Sequence, residues 1–330
     1  MDQWLRENIV CPRDRKMLTQ LGPRLSCQAG HEYPIVDEIP ILLLGDGGST
    51  HGYLDKTLAD VRRIEAGELI TDVIESTRSG NVGIDPFVNS ELQRTCGNLY
   101  APAMSELSRY PIPMFPLNPL NGARLLDIGC NWGRWTIAAA KKSFAAVGID
   151  PSLEAVLAAR RVSRKLNISS SFVVGDARCL PFADSSFDTV FSYSVLQHFS
   201  QENRDLTLID ISRVLRCEGR SLIQMASRNG IRSRQQLWRR RGSDGEGFDV
   251  RYWRPSELVD TFQRLIGPTK LTADGYFGLN MQYSDIDLMP LRYKIVVGLS
   301  EGLRWTSRRF SPLCQVADSV FLESVNRKTT

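Results

Sequence analysis

The chain has 330 residues, 42% of them hydrophobic, and a formal net charge of +4 at pH 7. That length and apolar content suffice for at least one full core with attachments, and so small a charge does not by itself announce a nucleic-acid binder, leaving the question to local clusters. Seven cysteines, Cys11, Cys27, Cys96, Cys130, Cys179, Cys217 and Cys314, form an odd set in a chain too long to need staples, which points to a reducing, cytoplasmic setting. The start "MDQWLRENIVCPRDRK" lacks a basic opening followed by an apolar core, and runs such as "IPILLL" and "KIVVGL" are far below bilayer-spanning length, so neither a signal peptide nor a membrane span is expected. Peripheral membrane contact stays open.

Residues 1–45 read as a small β-rich unit with paired cysteines and proline-punctuated strands, closed by the turn-rich "GDGGSTHG" from Gly45 to Gly52. Residues 46–121 read as a linker and helical segment suited to capping a substrate. The pattern is helical from Tyr53 to about Glu75, "SGNVGIDPFVN" breaks it, and "YPIPMFPLNPLNG" is too proline-rich for any helix. From 122 to 330 apolar strands, "ARLLDIG", "AAVGID", "SFVVGDA", "FDTVFSYS" and "RSLIQMAS", alternate with helical stretches. In one of these, "ENRDLTLIDISRVLRCEG", Leu208, Ile211, Val214 and Leu215 share a face and Gly219 stands where a helix stop is expected. The alternation predicts an α/β fold with a parallel, doubly wound sheet covered on both faces.

Ligands of such sheets sit at the carboxyl ends of the strands, where the first strand turns into the first helix. There the chain reads "LLDIGCNWGRW", with Asp127, Gly129, Asn131 and Gly133. A dinucleotide fingerprint needs G-x-G-x-x-G, and this spacing argues against NAD. The pattern D-x-G-x-(G/N)-x-G instead resembles motif I of class I S-adenosylmethionine-dependent methyltransferases, with Asn131 in place of the commoner glycine. The resemblance implies S-adenosyl-L-methionine as cofactor, glycines that admit its methionine moiety, and Asp127 on its ammonium side. It also places Asp150 of "VGIDPS" on both ribose hydroxyls and Asp176 with Ala177 of "VVGDARCLPF" at the adenine edge. Taken alone, each such acid could equally cap the helix that follows its strand.

The resemblance runs from about Arg124 to Ser227 and is closest to quinone-biosynthesis and wobble-uridine tRNA methyltransferases. It implies a seven-stranded, mostly parallel Rossmann-like sheet closed by an antiparallel pair, "GPTKLTADGY" and "ADSVFLESV", with inserts at 228–256 and about 280–312. Methyl transfer from a sulfonium is an in-line displacement that gains mainly from alignment. An oxygen acceptor also benefits from a general base, for which His198 of "LQHF" is the candidate, the bland alternative being local packing. Tyr193 and Ser194 lie near the same strand end, and Tyr193 is taken as an acceptor contact. Trp132 and Trp135, flanking Gly133, are read as packing residues, the alternative being walls of the donor pocket.

In the first unit "CPRDRKML", Cys27 and "GHEYPIVDEIPILL" resemble a zinc-ribbon-like activator family whose members partner tRNA, rRNA and release-factor methyltransferases; Glu38 stands where that family has glycine. Cys11, Asp14, Cys27 and His31 have ligand types and spacing suited to zinc, with fewer cysteines than the family's full site. The favoured reading is a fold held by its apolar strands, with no metal ligand assigned. The insert at 228–256 carries Arg228, Arg232, Arg234, Arg239, Arg240, Arg241, Arg251 and Arg254 with Trp238, Tyr252 and Trp253. Arginine forks bind phosphates and carboxylates and aromatics stack on sugars or bases, so Arg239, Arg251 and Trp253 are expected to touch an anionic acceptor. The alternative is a solvated arm paired with Asp244, Glu246 and Asp249. The reading is thus a methyltransferase acting on oxygen of a small metabolite, saccharide or lipid precursor. Its rivals are a tRNA methyltransferase with its activator in cis and a non-catalytic donor-binding scaffold.

Overall fold

The computed structural model describes residues 1–45, 52–68, 83–103, 107–119, 122–240 and 249–327. In chain order its elements are α1 (Gln3–Asn8), β1 (Thr19–Leu21), β2 (Arg24–Ser26), β3 (Glu32–Val36), β4 (Ile39–Leu42), α2 (Tyr53–Glu65), α3 (Pro86–Cys96), β5 (Arg124–Ile128), α4 (Arg134–Ala140), β6 (Ala145–Asp150), α5 (Leu153–Lys165) and β7 (Ser171–Gly175). There follow β8 (Phe187–Ser192), α6 (Gln201–Val214), β9 (Leu215–Ala226), α7 (Ile231–Arg239), α8 (Pro255–Leu265), β10 (Thr269–Gly275), α9 (Leu291–Ser307) and β11 (Ser319–Val325). Most of the long helices open as their sequences dictate. Ser152 accepts the Ala155 N–H and Ser200 the Asn203 N–H, each satisfying an orphan donor of the first turn.

The strands form one sheet of order β1-β2-β3-β4-β7-β6-β5-β8-β9-β11-β10. From β4 to β9 every pairing is parallel, whereas β11 lies antiparallel to both β9 and β10. The expected antiparallel closing pair is therefore β10 and β11, and the helices of the second insert stand between them. The expected count of seven is too small. Strands β5 to β11 supply seven, but β4 pairs with β7, Ile41 opposite Val174 and Leu42 opposite Gly175, and carries three more strands with it. An open β7 edge would leave backbone donors and acceptors bare, and β4 satisfies them. The N-terminal unit also shares the main core: Leu5, Ile9, Leu25 and Tyr33 are buried in one cluster with Ile128, Phe182 and Phe187.

Two local readings change. Helix α6 stops at Val214, not at Gly219, because the Asn326 amide donates to the carbonyls of Ser212, Leu215 and Arg216 and so takes up the acceptors a helix end leaves free. And "SGNVGIDPFVN" is not only a break: Asp85 accepts the Phe87 N–H and Pro86 opens α3. The expected linker residues 46–51, the helix's last stretch 69–75 and Arg241, Asp244 and Glu246 of the insert lie outside the described residues.

Candidate functional site

A cavity opens at the carboxyl ends of β5, β6, β7 and β8, where β5 is flanked by β6 on one side and β8 on the other and the strand order reverses. Its floor is the turn after β5. The N–H groups of Gly129 and Cys130 both donate to the Ile149 carbonyl, at 2.8 and 3.0 Å, tying the turn to β6. Gly129 has φ +73°, and a Cβ there would stand 2.2 Å from Val195 Cγ2, so only glycine fits. Asn131 follows at φ 45° and holds the Trp132 N–H with its own side-chain oxygen, the short-range bond that lets asparagine adopt this backbone. Gly133 then starts α4.

Asp150 ends β6 and faces the cavity. Its carboxylate accepts the Asn131 N–H on one oxygen and the Ser152 N–H on the other, both at 3.0 Å. Burial nevertheless pushes its pKa up to about 6, leaving a fixed carboxylate with lone pairs open to hydroxyl donors. Asp176 and Ala177 line the cavity after β7, and Arg178 clamps the Asp176 carboxylate through Nε at 3.0 Å to both oxygens. Asp127 does not reach the cavity, against expectation. Its place in β5 turns it inward, where it accepts the Thr136 hydroxyl at 2.6 Å, and burial pushes its pKa up to about 7.

Across from the glycine turn, Tyr193, Ser194 and His198 line the same cavity. Tyr193 stacks near Trp135, donates its hydroxyl to Asp274 at 2.7 Å and accepts Gln282 Nε2 at 2.9 Å. Burial and the adjacent Asp274 carboxyl raise the phenol well above its usual range, so it stays protonated. His198 sits in a short 3-10 turn, Leu196–His198, that is pinned from behind by Arg251, whose backbone N–H donates to Gln197 O and whose guanidinium donates to His198 O. Ser194 is held by Gln224 and Gln197.

Arg239, Arg251 and Trp253 do not line the cavity, a correction to their expected acceptor contact. The described part of the insert runs beside β9, bridging Ser227 to Trp253. Arg251 is spent on the His198 turn, Trp253 carries the Arg204 guanidinium 4.1 Å above its ring, and Arg239 is exposed on α7. Arg240 pairs with Asp249, as the alternative reading of a locally paired arm foresees. Trp132 and Trp135 are both buried and both line the cavity, so they pack and wall it at once: the first donates to Thr95, the second packs on Phe191 and Tyr193.

The facing wall escaped the sequence reading. Tyr53 of α2 and Glu91, Arg94 and Thr95 of α3 line the cavity, and so does Arg134. In α3 the buried residues Val88, Leu92 and Cys96 fall at helical spacing, leaving Glu91, Arg94 and Thr95 off that face; that amphipathic pattern was the available signal. Arg134 is 3% exposed and donates to Asp285 at 2.6 Å, Tyr100 at 3.1 Å and Pro111 O at 2.8 Å. It thereby ties the first turn of α4 to the second insert.

A second group lies in the N-terminal unit. Donor atoms of Cys11, Asp14, Cys27 and His31 all stand within 4.8 Å of one another. His31 Nδ1 is 3.5 Å from Cys11 Sγ, 3.4 Å from Cys27 Sγ and 3.3 Å from Asp14 Oδ2, and Cys27 Sγ is 3.4 Å from that same oxygen. Edges of about 3.3–3.8 Å are those of a tetrahedron with zinc bonds of about 2.0–2.3 Å; the four named edges fall within or near that range, and the other two, from Cys11 Sγ to Cys27 and Asp14, lie within 4.8 Å.

Residues 125–219 match the family described as "Methyltransferase domain", so this part of the chain is a methyltransferase domain. Among curated proteins, a ubiquinone biosynthesis O-methyltransferase of Agrobacterium fabrum is 32% identical over 101 residues, 31% of this chain and 40% of that protein. O-methyltransferase cnsE of Penicillium expansum is 36% identical over 110 residues, 32% and 39% of the two chains. The chain thus spans about two fifths of the length of these relatives. Among solved structures, a SAM-dependent methyltransferase of Methanosarcina mazei overlaps with a TM-score of 0.47 at 18% identity, covering 68% of this chain and 100% of that one.

Proposed function

We propose that this chain is an S-adenosylmethionine-dependent methyltransferase acting on an oxygen of a small anionic metabolite, saccharide or lipid precursor. The observation that carries the reading is the Asp150 carboxylate, fixed by two backbone N–H groups at the mouth of a glycine turn whose floor admits no side chain. When bound, the cofactor supplies an electrophilic methyl group on a positively charged sulfur. Asp150 holds the ribose hydroxyls, and the backbone at Asp176 and Ala177 takes the adenine edge. Gly129, Asn131 and Gly133 give the methionine moiety its room. With Asp127 buried, Glu91 is the acid that takes the ammonium and Arg94 the cation that takes the carboxylate, both on the helix lining the facing wall. His198 accepts the acceptor's proton, and Tyr193, held by Asp274 and Gln282, orients the acceptor. In this reading residues 46–121 are the cap, 122–330 the catalytic domain and 1–45 an activator-type unit fused in cis, working in the cytoplasm. Among the described residues no helix is long and apolar enough to cross a membrane.

Calorimetric titration with S-adenosylmethionine and, separately, NAD tests the donor. Saturable binding of the first alone is expected, followed by transfer of labelled methyl to a metabolite extract that falls tenfold or more in His198→Ala with donor binding intact. Donor binding without transfer to any extract would select the scaffold reading. The second reading is a tRNA methyltransferase with its activator in cis, and salt-sensitive RNA binding distinguishes it. The proximity of Cys11, Asp14, Cys27 and His31 makes a structural zinc the alternative to the metal-free, hydrogen-bonded cluster favoured from sequence. Metal analysis of protein purified without chelator decides it: no stoichiometric zinc is expected, and one zinc per chain that survives dialysis would overturn the metal-free reading.

A further inference from the structure

Helix α9, between the antiparallel strands β10 and β11, is amphipathic in the wrong sense. Its buried positions are Val297, Ser300 and Ser307. Its solvent face carries Leu291, Ile295, Leu299 and Trp305, exposed by 74%, 58%, 59% and 65%, with Phe310 exposed by 58% just beyond the helix end. At 3.6 residues per turn the four helical positions fall within an arc of about 120°. Gly298 and Gly302 share that arc, and a methyl group placed on either would meet no heavy atom within 4 Å, so nothing among the described residues covers it. Such a run of large apolar side chains turned to water on a single element marks an interaction surface.

The charge around the stripe selects its partner. Residues 291–310 hold five cations, Arg292, Lys294, Arg304, Arg308 and Arg309, against one anion, Glu301. Glu301 is taken by Arg304, while Arg308 and Arg309 are exposed and make no ion pair among the described residues. A second copy docked about a two-fold axis would bring the same cations face to face, whereas an anionic lipid surface would meet them with opposite charge. A helix of 17 residues is about 25 Å long, and it is neither long nor apolar enough to cross a bilayer. The geometry points to α9 as an interfacial helix that lies flat on an anionic phospholipid bilayer, its leucines, isoleucine and tryptophan sunk below the headgroups and its arginines among them. The same insert is bound to the cavity wall by Gln282 to Tyr193 and by Asp285 to Arg134. Docking therefore holds the acceptor side of the cavity near the membrane; that the acceptor is then an amphiphile drawn from the lipid phase rests on the methyltransferase reading above.

Co-sedimentation of the full chain with vesicles tests the surface, using phosphatidylcholine alone and phosphatidylcholine mixed equally with phosphatidylserine. Binding to the mixed vesicles is expected to exceed that to neutral ones by about tenfold or more. The double variant Ile295→Glu/Leu299→Glu, at exposed positions where folding is not at stake, is expected to lose about tenfold or more of it with an unchanged thermal melt. Wild-type chain that ignores mixed vesicles, or a double variant that binds them equally well, overturns the inference. So does a dimer in sedimentation velocity that the double variant abolishes, since the face would then belong to a second copy. Calorimetry of donor binding on the same samples keeps the two proposals apart: a failed vesicle assay with intact donor binding removes only the membrane surface.

Discussion

The strand-end wall of the cavity and the helical wall facing it are held by different means. Residues 128–133 and 149–152 are locked between neighbouring parallel strands by short hydrogen bonds from backbone N–H groups, Gly129 and Cys130 to the Ile149 carbonyl and Asn131 to the Asp150 carboxylate. The helical wall is hung from side chains. Thr57 bridges α2 to Pro151 and Leu153, Thr95 meets Trp132, and Arg161 clamps Asp85 at the start of α3. Arg94 itself is 67% exposed and touches Glu91 at 3.4 Å. The first wall is preorganised before any ligand arrives, which suits recognition of an invariant donor; the second can adjust, which suits ordering upon binding.

Breaking the rigid wall should cost most. Gly129→Ala forces a Cβ into Val195 in a left-handed backbone conformation, and should destabilise the fold by about 3 kcal/mol in chemical denaturation; a change under about 0.5 kcal/mol would mean the turn is softer than its contacts. Asp150→Ala removes the carboxylate proposed to accept the two ribose hydroxyls and should weaken S-adenosylmethionine binding by about a hundredfold, with unaltered affinity counting against the ribose assignment.

Acid should act in the same place more gently. With Asp150 titrating at about 6 in the folded chain, lowering the pH from 7 to 5 protonates the carboxylate and should reduce donor affinity by about tenfold. Stability moves the other way. Asp127 is raised from 3.8 to about 7 by burial, so between those values the folded chain holds the extra proton, and its stability falls as the pH rises through that window. Asp127→Asn should reduce that slope, since the amide oxygen still accepts the Thr136 hydroxyl, and leave the share that Asp150, raised from 3.8 to about 6, contributes in the same direction; an unchanged slope would place the proton elsewhere. The adjustable wall should respond least: Arg94→Ala is expected to weaken donor binding by about fivefold, as befits an exposed cation, and a hundredfold loss would erase the contrast between the walls.

How much of this was legible depended on the range of the forces involved. The glycine turn, Asp150 after β6 and the strand alternation follow from steric and hydrogen-bond rules acting over a few residues, and those were readable from "LLDIGCNWGRW" and "VGIDPS". Asp127 was misplaced because a strand's two faces look alike in a buried parallel sheet, where both are apolar. The arginine-rich insert misled because composition states what a side chain can bind, while Arg251 and Trp253 had nearer partners in His198 O and Arg204.

By itself the sequence determined the α/β alternation, the donor-side turn and the four potential metal donors, all of which depend on local backbone preference and residue type. Only the tertiary structure decided that β4 extends the sheet along β7, that Glu91 and Arg94 reach the cavity from α3, that Arg134 is tied to Asp285 across 151 residues, and that α9 turns its apolar face outward. Each of these is a choice among partners distant along the chain, settled by which contact buries or pairs more once the core has formed, and no window of neighbouring residues contains that information.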